Sequence, residues 1–152
     1  MKITPIVLLL VIVGFACRNE KFPAESAIFE KLKTARNDLD KYEAIVFIIS
    51  SGCSGCISTA ESLLINQCRQ DDVNKILFVL TRYSSVKQAR IRLGSDIIEN
   101  DNVIVDTKND YSNFLNQYPV VFFLDDGHLT DLSVIKPGAE ESLFTKLNQL
   151  VN

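Results

Sequence analysis

The chain is poor in the residues that metal sites and nucleic-acid surfaces are made of. Histidine occurs once, as His128, and of the four cysteines only Cys53 and Cys56 form a close pair, with Cys17 and Cys68 standing apart. Zinc needs further ligands, and neither Cys68 nor His128 is spaced as a second pair, so no metal site is expected. His128 follows the turn-forming Asp126-Gly127 and reads as a solvated loop residue. No basic run and no interleaving of basic with aromatic residues occurs, and the net charge is −3, so nucleic acid is not an expected partner. The densest basic cluster, Lys87, Arg90 and Arg92, reads as a solvated helix face. Internal repeats and low-complexity tracts are lacking too, and nothing marks a second domain. With 47% hydrophobic and 23% charged residues in 152, the composition suits one globular domain with a core of its own.

What is present begins at the N-terminus. Met1-Lys2 is followed by an apolar run from Ile3 to Phe15, too short for a comfortable membrane span. The run ends in Gly14-Phe15-Ala16-Cys17, and polar Arg18-Asn19-Glu20 follow at once. A small residue directly before a cysteine at the end of an export signal resembles the lipobox of bacterial lipoproteins. In that family the cysteine is acylated and becomes the first residue of the mature protein, which would be Cys17. The family's usual Leu and small residue are replaced here by Gly14 and Phe15. A plain secretory signal with an incidental cysteine and an uncleaved anchor are the alternatives, and all three place the domain outside the cytoplasm. The organisation expected is a signal over residues 1–16, a lipid-anchored tether over 17–25 and a domain over 26–152 with an N-terminal amphipathic helix at 26–40.

The most informative stretch is Ser51-Gly52-Cys53-Ser54-Gly55-Cys56-Ile57, set between the apolar run Ala44–Ile49 and a helical segment from Ser58 to Gln67. A helix N-terminus has unsatisfied N–H groups and a partial positive charge, and both favour an anion. A thiol placed there loses its proton more easily, so Cys53 is the better nucleophile near neutral pH. Cys56, one turn inward, is close enough to bridge Cys53 or to resolve a mixed disulfide on it. Ser54 and Gly55 are small and leave the first sulfur open. By itself the motif also fits a structural disulfide or half of a zinc site.

The rest of the chain predicts alternating strands and helices. Ala44–Ile49 has no polar alternation and reads as a central strand buried on both faces. Lys75–Leu80 is a second strand. Ser85-Val86-Lys87-Gln88 has capping-box form and opens a short helix with Val86, Ala89 and Leu93 inward, ended by Gly94. Val103–Val105 is a short strand, and Asp110–Gln117 reads as a short helix with Tyr111, Phe114 and Leu115 on one side. Pro119 leads into the strand Val120–Leu124, Asp126-Gly127 is a hairpin signal, Leu129–Ile135 returns, and Glu140–Val151 closes the chain as a helix. The class expected is α/β, with a mostly parallel central sheet, an antiparallel C-terminal hairpin and helices on both faces. Cys68 reads as a buried bystander, with a regulatory or intermolecular partner as the other possibility.

A strand, Cys-x-x-Cys at a helix start and a later proline opening a strand that runs into a hairpin resemble the thioredoxin fold over residues 44–151. The extra strand–helix unit between Cys56 and Pro119, and the run Tyr118-Pro119-Val120-Val121-Phe122-Phe123-Leu124-Asp125-Asp126-Gly127, are similar to the membrane-anchored TlpA/ResA-type thiol-disulfide proteins. The resemblance implies that Cys53 attacks and Cys56 resolves. It also implies a cis Tyr118–Pro119 bond facing the dithiol, with Tyr118 and Pro119 meeting the substrate. Its implied partners are protein thiols and disulfides and a membrane or periplasmic electron donor, with no cofactor. Three positions differ from the family: Gly52 replaces its Trp, Ser54-Gly55 replaces its Gly-Pro, and Phe47 stands where many members bury an acid.

The function expected is thiol-disulfide exchange with protein substrates in the cell envelope, by a lipid-anchored protein facing the periplasm or the outside. Two alternatives stand beside it. One is a non-catalytic peptide-binding lipoprotein of the same fold with a static disulfide, and the other a Cu(I)-binding protein that uses the two thiolates alone; the lone histidine disfavours a copper chaperone of the kind that needs a histidine ligand.

Overall fold

A computed structural model describes residues 23–70 and 75–151. The segments assigned above to the signal and to Cys17, and most of the tether, lie outside the described residues. Among those residues no helix is long and apolar enough to cross a membrane.

The sheet is built around β1 (Ala44–Ile49), whose six residues are all fully buried. Side chains alternate between the two faces of a strand, so complete burial means both faces are covered. β2 (Ile76–Thr81) is equally buried, and with β3 (Val103–Asp106), β4 (Val120–Asp125) and β5 (His128–Val134) it completes five strands in the order β3-β2-β1-β4-β5. Neighbours β1–β2 and β2–β3 are parallel, whereas β1–β4 and β4–β5 are antiparallel. The sheet is therefore mixed, not mostly parallel as the strand–helix alternation predicts. The reason lies between β3 and β4, where no helix carries the chain back to the opposite end of the strands. A parallel neighbour needs such a crossover; residues 107–119 pass from β3 to the far side of β1 at the end of the sheet where β3 finishes, and β4 starts from there in reverse.

Among the described residues five helices flank the sheet: α1 (Pro23–Ala35), α2 (Ser54–Cys68), α3 (Val86–Leu93), α4 (Ser95–Ile98) and α5 (Glu140–Val151). The N-terminal helix is displaced from the expected 26–40. It is described over Pro23–Ala35, and it ends before Asn37-Asp38, residue types that compete with the helix backbone for hydrogen bonds. Asp38 takes the Arg36 and Lys41 side chains, each at 2.7 Å, and a single 3-10 turn, Leu39–Lys41, follows. α1 buries Phe29 and Leu32. Ser85 caps α3 by accepting the Gln88 amide at 3.1 Å, while the Gln88 side chain reaches back to the Ser84 amide at 2.8 Å. Ala89 and Leu93 face inward as expected, but Val86 is exposed, because it stands on the capped first turn beyond the sheet.

Asp126 and Gly127 both have positive φ, 47° and 68°, and close the β4–β5 hairpin in the way the Asp-Gly signal predicts. Residues 110–117 form turns instead of the expected helix. The Asp106 carboxylate, itself buried, accepts the amides of Asp110 at 2.9 Å and Tyr111 at 3.0 Å. The Arg82 guanidinium takes the carbonyls of Ser112, Leu115 and Asn116. The backbone of this stretch is thus held by Asp106, a near neighbour in sequence, and by Arg82 from about thirty residues away. Tyr111 and Phe114 still pack inward: the Phe47 ring centre lies 6.4 Å from Tyr111, 5.3 Å from Phe114 and 4.9 Å from Phe122. Each such ring or aliphatic side chain removed from water contributes about 1.5–3 kcal/mol, so the inward stripe survives although the helix does not.

Candidate functional site

Cys53 and Cys56 lie where β1 hands over to α2. Cys53 is the residue before the first helical turn, with extended backbone (φ −64°, ψ 102°), and its carbonyl accepts the Ile57 amide at 2.9 Å. The two cysteines form a disulfide with Cα atoms 5.3 Å apart. Cys53 is half-buried, whereas Cys56 is 1% exposed; Ser51, Gly52, Ser54 and Gly55 around them are open to solvent. The first turn of α2 holds no acidic residue, so nothing there opposes a negative charge on the Cys53 sulfur. The dithiol also lies at the carboxyl end of the strand from which the order runs both ways: β1 has β2 on one side and β4 on the other, and open α/β sheets gather ligands at such points.

A second segment closes the site. The Cys53 amide donates to the Gln117 carbonyl at 2.8 Å, which brings the residues before β4 against the dithiol. Gly52 makes this approach possible. Its φ is +148°, and a Cβ there would collide with the Gln117 carbonyl oxygen and come within 2.9 Å of its carbon and 3.0 Å of Ile49 Cδ1. No bulkier residue fits this backbone, which accounts for glycine where the family resembled has tryptophan. Tyr118 is half-buried and Pro119 buried. Tyr118 lines a cavity of about 160 Å³ with Phe114, Val120, Leu132 and Val134. All peptide bonds between described residues are trans, including Tyr118–Pro119. The expected cis bond is corrected: trans is the preferred isomer of an X–Pro bond by about 0.5–1 kcal/mol, and here the chain reaches Cys53 through the Gln117 carbonyl without the alternative isomer.

Two arginines brace this pair of loops. Arg82, directly after β2, has φ 62°, and its amide donates to Asn109 Oδ1 at 2.9 Å. Its carbonyl accepts the Ser50 hydroxyl, and its guanidinium donates to the carbonyls of residues 112, 115 and 116, the last at 2.7 Å. Arg92, read from the sequence as part of a solvated face, instead forks onto Glu61 of α2, Nε to Oε1 at 2.7 Å and Nη2 to Oε2 at 3.1 Å. Glu61 is buried and also accepts the Tyr83 hydroxyl at 3.0 Å. Burial, and then the Glu61 charge, push the Tyr83 hydroxyl well above its ordinary range. Arg90 pairs with Glu99 at 3.4 Å.

Cys68 ends α2, half-buried and unbridged, away from the dithiol by four helical turns. His128 is exposed at the start of β5. Among the described residues no group of three His, Cys, Asp or Glu is arranged to hold a metal ion. Sequence reasoning reached the cysteines but missed Gly52, Arg82, Gln117 and the Glu61–Arg92 pair. Only Gly52, a glycine in a Ser-Gly-Cys turn, had a signal that could have been read. Compared with protein-family models, with curated proteins and with solved structures, the chain has no match.

Proposed function

We propose that this chain exchanges dithiol for disulfide with partner proteins outside the cytoplasm, in a thioredoxin-like domain tethered by a lipid on Cys17. The observation that carries the reading is the asymmetry of the pair: Cys53 reaches solvent at the start of α2 while Cys56 is buried one turn inward. In the reducing direction the Cys53 thiolate attacks one sulfur of a partner disulfide and displaces the other as a thiolate, which takes up a proton. Cys56 then loses its proton, attacks the Cys53 sulfur and releases the second partner thiol. The partner gains two electrons and the Cys53–Cys56 disulfide forms; the reverse sequence oxidises a partner dithiol. An electron donor or acceptor of the envelope would reset the pair.

The shortness of the loop supports this reading over a staple. By chain entropy a bridge across so few residues contributes about 2 kcal/mol, the low end for disulfides. The same shortness is what lets Cys56 reach a mixed disulfide on Cys53. Two features favour the second reading, a binding protein with a static disulfide. The trans Tyr118–Pro119 bond and the aromatic Phe47 both depart from the TlpA/ResA-type pattern.

Cysteine variants decide between the two. Cys56→Ser should accumulate mixed disulfides with envelope proteins on non-reducing gels, and Cys53→Ser should trap few or none; at pH 7 alkylation of the reduced pair should reach Cys53 first. Equal labelling with no trapped species would leave the static disulfide. For the anchor, Cys17→Ser should release the chain from membranes or leave its signal uncut. A Cys17→Ser chain that fractionates and is processed like wild type refutes the lipid.

A further inference from the structure

We infer that Arg82 is a positioning residue for exchange with protein disulfides, holding the Gln117 segment against the Cys53 loop, the two walls on which a partner protein must settle. The inference rests on the dithiol reading above and concerns the same site. Arg82 touches both walls. On one side its carbonyl holds the Ser50 hydroxyl, three residues before Cys53. On the other its guanidinium takes the carbonyls of Ser112, Leu115 and Asn116, and its amide takes Asn109 Oδ1. The next carbonyl along, Gln117, is the one that accepts the Cys53 amide.

The chemistry of the side chain suits this task. A guanidinium is planar and permanently charged, with five donors in a rigid fork, so it can serve several carbonyls of one turn at once; an ammonium is a point donor and cannot hold them in one fixed arrangement. Hydrogen bonds to a charged donor are also the stronger kind. The backbone of Arg82 is in the left-handed region, which a non-glycine residue occupies only when its surroundings hold it there. Here the holding groups are Asn109 and Ser50, one from each wall. The segment before β4 has no helix to stiffen it. Without Arg82 the carbonyls of Ser112, Leu115 and Asn116, the stretch that leads directly to Gln117, lose their shared charged donor.

A small disulfide needs only the exposed Cys53 sulfur. A protein disulfide must also settle its bulk on the two walls around that sulfur, so it alone should depend on how they are held together. The test uses the full chain, reduced, with Arg82→Gln and Arg82→Lys variants of confirmed fold. Rates are measured with the disulfides of insulin and with a small aromatic disulfide, 5,5′-dithiobis(2-nitrobenzoate), and amide hydrogen exchange is followed at Cys53. Arg82→Gln should slow the insulin reaction at least tenfold, mainly through KM, and change the small-disulfide rate less than twofold. The Cys53 amide should exchange at least tenfold faster, and Arg82→Lys should fall between wild type and Arg82→Gln. If Arg82→Gln does not fold, the lysine variant carries the same comparison. Equal slowing with both disulfides, or unchanged Cys53 protection, overturns the inference. A wild-type chain that reduces neither disulfide overturns the dithiol reading itself, and the Cys53 amide then still reports whether Arg82 holds the loop.

Discussion

Replacing Gly52 by alanine should be among the most damaging single changes at an exposed position of this protein. The glycine has φ +148°, and an added Cβ meets the Gln117 carbonyl group and Ile49 Cδ1. Forcing a side chain into such a backbone costs about 1–3 kcal/mol. Relief of the clash requires the Gln117 carbonyl to withdraw, and losing its hydrogen bond to the Cys53 amide costs about 1 kcal/mol more. The stiffer unfolded chain of the variant returns about 0.5 kcal/mol. A net loss of about 1.5–3.5 kcal/mol is expected, which for a domain of this size lowers the melting temperature by roughly 3–14 °C. Urea unfolding of the oxidised protein, with wild type and Gly55→Ala alongside, measures it; Gly55 has no atom within 4 Å of an added Cβ and should lose far less. If Gly52→Ala and Gly55→Ala differ by under 0.5 kcal/mol, the close approach of Gln117 to the dithiol loop is not what holds the site together.

Arg92→Ala should destabilise by about 1–3 kcal/mol, below the usual cost of breaking a buried ion pair because the Arg92 side chain is 41% exposed and Tyr83 still donates to Glu61. Adding Glu61→Gln should recover most of that loss in urea unfolding, and no recovery would mean that the uncompensated carboxylate is not the cause. Burial, with the Asp96 charge adding, pushes the Cys68 thiol up to about 11 from an ordinary 9.0. The folded chain therefore holds that proton more tightly than the unfolded chain, so the contribution is complete below pH 9 and fades as pH rises from 9 to 11. Unfolding midpoints of Cys68→Ala should fall less over that interval than those of wild type, and parallel curves would assign the alkaline loss to other groups.

The parts of the fold that could be read from the sequence are those whose cause is local. Six consecutive apolar residues at Ala44–Ile49 mean a strand covered on both sides wherever it lies, and Asp126-Gly127 makes its turn from its own backbone preferences. Ser85 and Gln88 cap a helix within one turn. What misled is the stretch 110–117, where Tyr111, Phe114 and Leu115 have the spacing of a helical stripe. Their inward packing is real, but the backbone is also held by Arg82 from about thirty residues away, which no local pattern announces. The direction of β4 was lost with that helix, since a crossover element would have implied a parallel strand. At the site the two cysteines were legible because their spacing is itself the chemistry. The Gln117 carbonyl was not, because a backbone oxygen has no letter of its own.

The way α1 joins the domain limits how far the dithiol can travel. Phe29 and Leu32 are buried in the core, and Lys31 meets Asp110 at 2.6 Å, so this helix moves with the site and cannot act as a free arm. Its 13 residues span about 20 Å. Five residues lie between Cys17 and Pro23, and a chain of that length reaches at most about 20 Å. A lipid on Cys17 would therefore keep the two sulfurs within a few tens of ångströms of the bilayer, confined to a thin layer over it. Within that layer a partner held by the same membrane is met by a two-dimensional search at high effective concentration. A partner free in the surrounding space gains no such advantage, so the length of the leash would select among substrates before any contact at the dithiol does.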